Sequence, residues 1–285
     1  MLRLMTWISL RLGRRLARVV LAGISLYFLL FAPSAKAAVR AYLRRALGRP
    51  ARLADLFRHF HGFASCIHDR VFLLNDRFDL FQVEVEGEAV IRDVLASGRG
   101  AFLMGAHMGS FEVARAIGRR QPGLRVGMLM YPENARKLNA ALAEINPAAV
   151  RDIIPLGQLD AMLRVQAALD DGMVLGVLAD RTLDNDPSLS LPFLGAPAAF
   201  PLGPMRLAAM LKRPVLFMTG LYLGGNRYRI HFEKLADFSP LERKDRDPAI
   251  RAAVAAYAAC LERHCRAAPY NWFNFFDFWR PQSPA

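Results

Sequence analysis

Cysteine is scarce: three residues in 285, with no Cys-x-x-Cys pair anywhere. That excludes a disulfide-stapled secreted scaffold, a zinc ribbon and a thioredoxin-type redox motif. Lysine is scarce too, five of 38 basic residues, so the positive charge is carried almost wholly by arginine. Arginine suits bidentate phosphate contacts, although base composition of the gene gives the same bias. Acidic residues are missing altogether from the first 54 positions. Repeats and low-complexity linkers are also lacking, which argues against a solenoid or a multidomain array.

What is present follows from that asymmetry. Eleven basic side chains stand in residues 1–52, leaving 27 basic against 25 acidic in the rest, so the net charge of +13 belongs to the amino-terminal fifth. One end of the molecule is built to meet a polyanionic surface. The run from Val19 to Ala32 interrupts this stretch with fourteen apolar or small residues. It is short of the roughly 20 needed for a helical span. A signal peptide would use Ala35-Lys-Ala37 as its cleavage site, but Arg40, Arg44 and Arg45 follow immediately and oppose export. An uncleaved amphipathic anchor, with arginines gripping anionic headgroups, fits better. Nucleic acid as the partner leaves the apolar run without a purpose. The domains are therefore expected as 1–50, a basic membrane-associating helical anchor, and 51–285, an α/β domain.

With 54% apolar residues the body holds a sizeable core. Residues 52–75 carry Leu53, Leu56, Phe57, Phe60, Ala64, Ile67, Val71 and Leu74 on one helical face. Phe81–Val85 alternates as a strand, while Gly100–Ala106 and Met173–Leu178 are short apolar runs of the kind found in buried parallel strands. Further helices are predicted near 110–120, 133–145, 158–171, 204–212 and 247–267, and strands at 125–131 and 150–154. Val215–Leu223 and Tyr228–Phe232 flank Gly224-Gly225-Asn226, a hairpin turn. The alternation predicts an α/β fold: a mixed, mostly parallel sheet covered by helices, preceded by a membrane-anchoring helix.

In open α/β sheets chemistry collects where strands end and helices begin. The segment Gly105-Ala-His107-Met-Gly109-Ser110-Phe-Glu112 is such a junction. His107 leaves a buried strand, Gly109 permits a tight turn, and Glu112 falls in the first turn of the next helix, where the dipole favours a carboxylate. Glu112 accepting the Nδ1–H of His107 would aim Nε2 at the cleft as a general base. A histidine that only caps a strand end fits the same spacing. Of the six histidines, only His107 has an acid five positions on.

The His107-x4-Glu112 segment resembles the His-x4-Asp/Glu motif of glycerolipid and lysolipid acyltransferases. The layout of most of the chain is similar to the late lipid A (lauroyl/myristoyl) acyltransferases and their predicted-acyltransferase relatives. The resemblance implies a membrane enzyme on the cytoplasmic face of the bacterial inner membrane. In it His107 would be the base and Glu112 its orienting acid, with acyl carrier protein or coenzyme A as thioester donor and a lipid hydroxyl as acceptor. No bound cofactor, metal or nucleic acid is implied. Asp180, in Ala179-Asp180-Arg181, stands where that family usually has an Asp after a strand, and is carried over as a supporting residue. Two departures are Arg181, in place of the usual Gln or His, and an upstream arginine for which Arg151 is only the nearest candidate. Gly109, Ser110, Gly203 and Arg206 complete the expected substrate contacts; Phe200-Pro-Leu-Gly203 is similar to a Phe-Pro-Glu-Gly phosphate motif without its glutamate, and a plain Pro-initiated helix explains it as well.

Two other readings stay open: an esterase or thioesterase with water as acceptor, and a non-catalytic lipid-binding membrane protein. The aromatic tail Tyr270–Trp279 suits a membrane interface, an acyl pocket or packing against the sheet. Trp7 and Tyr27 flank the anchor as an interfacial belt would. His59, His61, Cys66 and His68 do not share a helical face, and metal is expected neither there nor at Cys260-x3-His264-Cys265 on the last helix. Ser110 beside His107 suggests a hydrolase, but no Gly-x-Ser-x-Gly elbow exists.

Overall fold

The computed structural model describes residues 2–120, 124–130, 153–157, 160–182 and 186–279. Among the described residues nine strands fall in chain order at β1 (Gln82–Glu86), β2 (Ala101–Gly105), β3 (Val126–Met130), β4 (Ile153–Pro155), β5 (Val174–Leu178), β6 (Ser188–Phe193), β7 (Ala196–Pro201), β8 (Pro214–Gly224) and β9 (Arg227–Asp237). Seven of them form one sheet in the order β1-β9-β8-β2-β5-β3-β4; β6 and β7 pair separately as a hairpin. Every neighbour in the large sheet is parallel except the β8–β9 hairpin.

Helices cover both faces. The described ones are α1 (Leu2–Phe31), α2 (Pro33–Leu47), α3 (Leu53–Leu74), α4 (Glu88–Ala96), α5 (Phe111–Arg120), α6 (Ala161–Asp170), α7 (Gly203–Met210) and α8 (Arg246–Ala267). The central strand β2 is buried at all five positions, as its unbroken apolar run requires. Successive side chains alternate faces. Phe102 and Met104 therefore join one core with α2, α6, α7 and α8, while Ala101 and Leu103 join another with α3, α4 and α5. In β8, Val215 and Phe217 divide from Leu216 and Met218 in the same way.

The mostly parallel α/β sheet expected from the alternation is what forms. α4 and the β6–β7 hairpin went unread, although Ser188–Phe193 alternates and Val90, Ile91, Val94 and Leu95 share a helical face. The helix expected at 133–145 lies outside the described residues.

The amino-terminal stretch departs from the expected layout. α1 contains a break at Gly13 (φ 79°, ψ 162°), and it meets α2 at a bend of 95° where Pro33 takes the first helical turn. Val19, Val20, Leu26, Tyr27, Phe28, Leu30 and Phe31 stand exposed on α1. Among the described residues no single helix is long and apolar enough to cross a membrane; the bent pair 17–31 and 33–47 meets the requirement of length and composition. The boundary at residue 50 cuts through packed structure. Val39, Tyr42 and Leu43 of α2 are fully buried in the main core, and Tyr42 donates its hydroxyl to the Pro269 carbonyl at 2.8 Å. α1 is pinned as well, by a bidentate ion pair from Arg14 to the buried Asp69 of α3 (2.6 and 2.7 Å), which also accepts the Tyr228 hydroxyl.

Candidate active site

β2 and β5 are parallel neighbours with Gly105 opposite Leu178. Two residues beyond each of these partners the chain reaches His107 and Asp180. The register thus delivers an imidazole and a carboxylate side by side at the carboxyl ends of adjacent strands. His107 Nδ1 lies 2.8 Å from Asp180 Oδ1, and the His107 backbone N–H donates to Oδ2 at 3.0 Å. Trp272 Nε1–H donates to the same Oδ2 at 2.9 Å.

Asp180 is 1% exposed. Burial alone would raise its carboxyl; the charge and hydrogen bond of His107, the nearby Arg181 and the Trp272 indole outweigh it and hold the group down to about 2. The carboxylate is ionised at neutral pH and can only accept. His107 Nδ1 therefore carries the proton, which leaves the Nε2 lone pair free. The His107 side chain is 32% exposed, and no hydrogen bond is made at Nε2 among the described residues.

Glu112 does not hold the position expected of it. It is fully buried in the first turn of α5, and both its oxygens face Arg115 Nη1 at 3.4 Å. Arg115 is itself only 2% exposed, so the two form a buried ion pair within the helix. The spacing was right for a strand–turn–helix junction, but α5 turns this carboxylate inward. The partner of Nδ1 comes from the neighbouring strand.

The turn between them is set by glycine contacts. Gly109 has φ +65°, and a Cβ there would meet the Gly220 carbonyl oxygen at 2.0 Å; a Cβ on Gly220 would meet the Ser110 carbonyl oxygen at 2.3 Å. Only glycines allow the loop to cross β8 so closely. The amides of this loop are already used: Gly109 N–H donates to Asn271 O at 2.9 Å and Ser110 N–H to Gly220 O at 2.8 Å. They are not available to steady an oxyanion. Ser110 is 3% exposed with its hydroxyl unpartnered, so it is a buried filler rather than a nucleophile.

The aromatic tail packs over the loop. Met108 pairs with Trp272 as an isolated antiparallel bridge, and Phe273 N–H donates to His107 O at 2.7 Å. Asn271 exchanges two hydrogen bonds with the Tyr222 backbone, tying the tail to β8. Trp272 is 1% exposed in a box of Tyr42, Phe193 and Phe278 edges. The tail packs against the fold through Trp272 while Phe276 stands exposed, and Trp272 is a site residue that the sequence reading did not single out.

The remaining candidates are dispersed. Arg181, partly buried, donates to Phe273 O at 3.2 Å and lies over the Phe276 ring at 5.1 Å, beside the Asp180 carboxylate. Gly203 and Arg206 are exposed at the start of α7; a Cβ at Gly203 would touch nothing within 4 Å, so no close backbone approach requires that glycine. Arg151 lies outside the described residues.

The profile of one protein family, described as bacterial lipid A biosynthesis acyltransferase, matches residues 4–281, nearly the whole chain. No curated protein matches the sequence.

Proposed function

The chain belongs to the bacterial lipid A biosynthesis acyltransferase family, an acyltransferase family acting on lipid, and we propose from this premise that His107 is its general base. The observation that carries the proposal is the His107–Asp180 hydrogen bond, which fixes the tautomer with Nε2 unbonded and partly exposed.

Nε2 takes the proton of an acceptor hydroxyl as its oxygen attacks the carbonyl carbon of an acyl thioester. The tetrahedral intermediate expels the thiolate, which recovers the proton from the His107 imidazolium. The products are an ester and a free thiol, with no net change at the enzyme. Asp180 stays ionised and stabilises the imidazolium in passing. Arg181, beside this pair and with donors beyond the one spent on Phe273, is suited to an anionic group on the lipid acceptor. Acyl carrier protein or coenzyme A is the donor in this reading, and a lipid A precursor or related glycolipid or lysolipid is the acceptor.

The exposed apolar residues of α1 between Val19 and Phe31, among the arginines, support attachment to the cytoplasmic face of the inner membrane. The buried Ser110 weighs against a serine hydrolase; water as acceptor at Nε2 is the competing chemistry.

Lipid mass spectrometry tests the proposal, with the protein and its His107→Ala form incubated with several acyl carrier thioesters and a membrane lipid extract. A lipid heavier by one acyl group, absent with the variant, is expected. Free fatty acid without acylated lipid would establish hydrolysis instead. Unconsumed thioester across chain lengths would leave a lipid-binding protein.

A further inference from the structure

Away from His107, β9 and α8 bring together a second set of reactive side chains. Strand alternation puts His231 and Glu233 on one face of β9. The four-residue spacing puts Cys260 and His264 on one face of α8. These faces meet. The His231 and His264 rings are 4.7 Å apart between centroids, His231 Nε2 is 3.3 Å from Glu233 Oε2, and Cys260 Sγ is 3.6 Å from that same oxygen. One ligand atom from each of His231, Glu233 and His264 lies within 4.8 Å of the others. The neighbouring Cys265, by contrast, is wholly buried in the main core and takes no part in this cluster.

We propose that His231, Glu233 and His264, with the Cys260 thiolate as fourth ligand, form a zinc site that clips the last helix to the sheet. Tetrahedral zinc with ligands at about 2.0–2.3 Å sets donor atoms about 3.4 Å or a little more apart, so small rotations close His231, Glu233 and His264 on the ion, and Cys260, 3.6 Å from Glu233, turns in as the fourth. Two further observations point to a cation. His264 Nε2 is buried and has no hydrogen-bond partner. Glu86, opposite His231 in the β1–β9 register, sits 3.3 Å from its Nδ1. This is the carboxylate–histidine–metal arrangement, in which the outer carboxylate fixes the tautomer that turns Nε2 to the metal.

The protonation states agree in part. Burial and the Arg263 charge push the His264 imidazole down to about 4, and zinc takes imidazoles in this neutral form. Burial and the Glu233 charge push the Cys260 thiol up to about 12, so it ionises only as the metal arrives. Arg263 now pairs with Glu233 and donates to Cys260 Sγ at 3.3 Å; its side chain is 57% exposed and can swing to solvent when a dication takes both places.

The test uses tag-free, full-length protein in detergent, stripped with a chelator and titrated with zinc by calorimetry. One zinc per chain and a raised Tm are expected, with binding abolished in a His231→Ala/His264→Ala double variant. Cobalt in place of zinc should give a thiolate charge-transfer band that Cys260→Ser removes. Failure of the wild type to retain zinc through gel filtration at micromolar concentration would overturn the site. Equal zinc uptake by the double variant would overturn it too, since the metal would then sit on other histidines. If the double variant does not fold, Glu233→Gln decides: a tenfold or greater loss of affinity supports the site, and unchanged affinity sinks it. A cobalt spectrum without the thiolate band removes Cys260 from the ligand set.

Discussion

His107 and Asp180 are 73 residues apart in sequence, yet their side chains meet at 2.8 Å because each stands two positions beyond a registered pair on adjacent parallel strands. The carboxylate that holds the imidazole is thus supplied across the sheet.

Replacing Asp180 by Asn keeps an oxygen for the Trp272 indole and the His107 amide but offers an N–H where Nδ1 needs an acceptor. The histidine then turns to its other tautomer, with a proton on Nε2. Steady-state assays should show kcat lowered by about 10⁴, the loss seen when a triad aspartate is so changed, with circular dichroism unaltered. A loss of less than about tenfold would show that His107 needs no such partner.

Glu112 gives the contrasting case. Glu112→Ala takes the carboxylate away from the buried Arg115 guanidinium and should cost about 3–5 kcal/mol of stability, read from urea unfolding. A Glu112→Leu/Arg115→Leu double variant should recover most of that. If the double variant is no more stable than Glu112→Ala, the pair is not what makes Glu112 necessary to the fold.

Stability should fall with acid in two windows. Burial holds the His59 imidazole down to about 3, so it folds neutral; its contribution is complete above the unfolded value near 6.5 and is lost as pH drops from there toward 3. Asp180, held down to about 2, loses its contribution only between about pH 4 and 2. Urea midpoints from pH 7 to 4.5 should therefore fall in the wild type and stay flatter in His59→Phe, whose ring would join Tyr42, Phe273 and Phe275. Parallel curves for the two proteins would contradict this.

Trp272→Phe keeps most of the aromatic packing and deletes one charge-assisted hydrogen bond to Asp180. A cost of about 1.5–3 kcal/mol is expected from that bond. The Asp180 carboxyl should rise, because a donor that lowered it is gone, and acid unfolding should begin at higher pH than in the wild type. Calorimetry across pH 3–5 checks both statements.

Gly220→Ala places a methyl 2.3 Å from the Ser110 carbonyl oxygen, backbone against side chain with no rotamer to relieve it. The loop carrying His107 must lift off β8. A loss of more than about 3 kcal/mol, a Tm drop of roughly 10 °C, is expected, with activity falling even at temperatures where the variant is folded. Wild-type activity in the folded variant would mean that the crossing does not position His107.

The sequence declares the sheet well because buried parallel strands are continuous apolar runs, as in Phe102-Leu103-Met104, and the Gly-Gly-Asn turn marks the hairpin. His107 was equally visible, as a polar residue just past such a run. Its partner was not visible from spacing: Asp180 entered only through the family resemblance, as a supporting residue. Glu112 satisfied a local spacing, and local spacing knows nothing of strand order, whereas Asp180 becomes adjacent only once β2 and β5 are neighbours in register. One signal was available: both runs end in a small or apolar residue, then alanine, then the polar group, in Gly105-Ala106-His107 and Leu178-Ala179-Asp180. Trp272 was hidden differently, as one aromatic among many in a tail whose packing depends on α2. The β9 side of the proposed zinc site was hidden for the same reason as Asp180.

The proposed base, its carboxylate and the indole that seats the carboxylate come from three stretches of chain, with spans of 73 and 92 residues between bonded partners. A recombination crossover between residues 108 and 179, or between 181 and 271, therefore parts residues that must fit one another. Chimeras between relatives should stay active only where both parents agree on the strand register at β2 and β5 and on the seat of the tail.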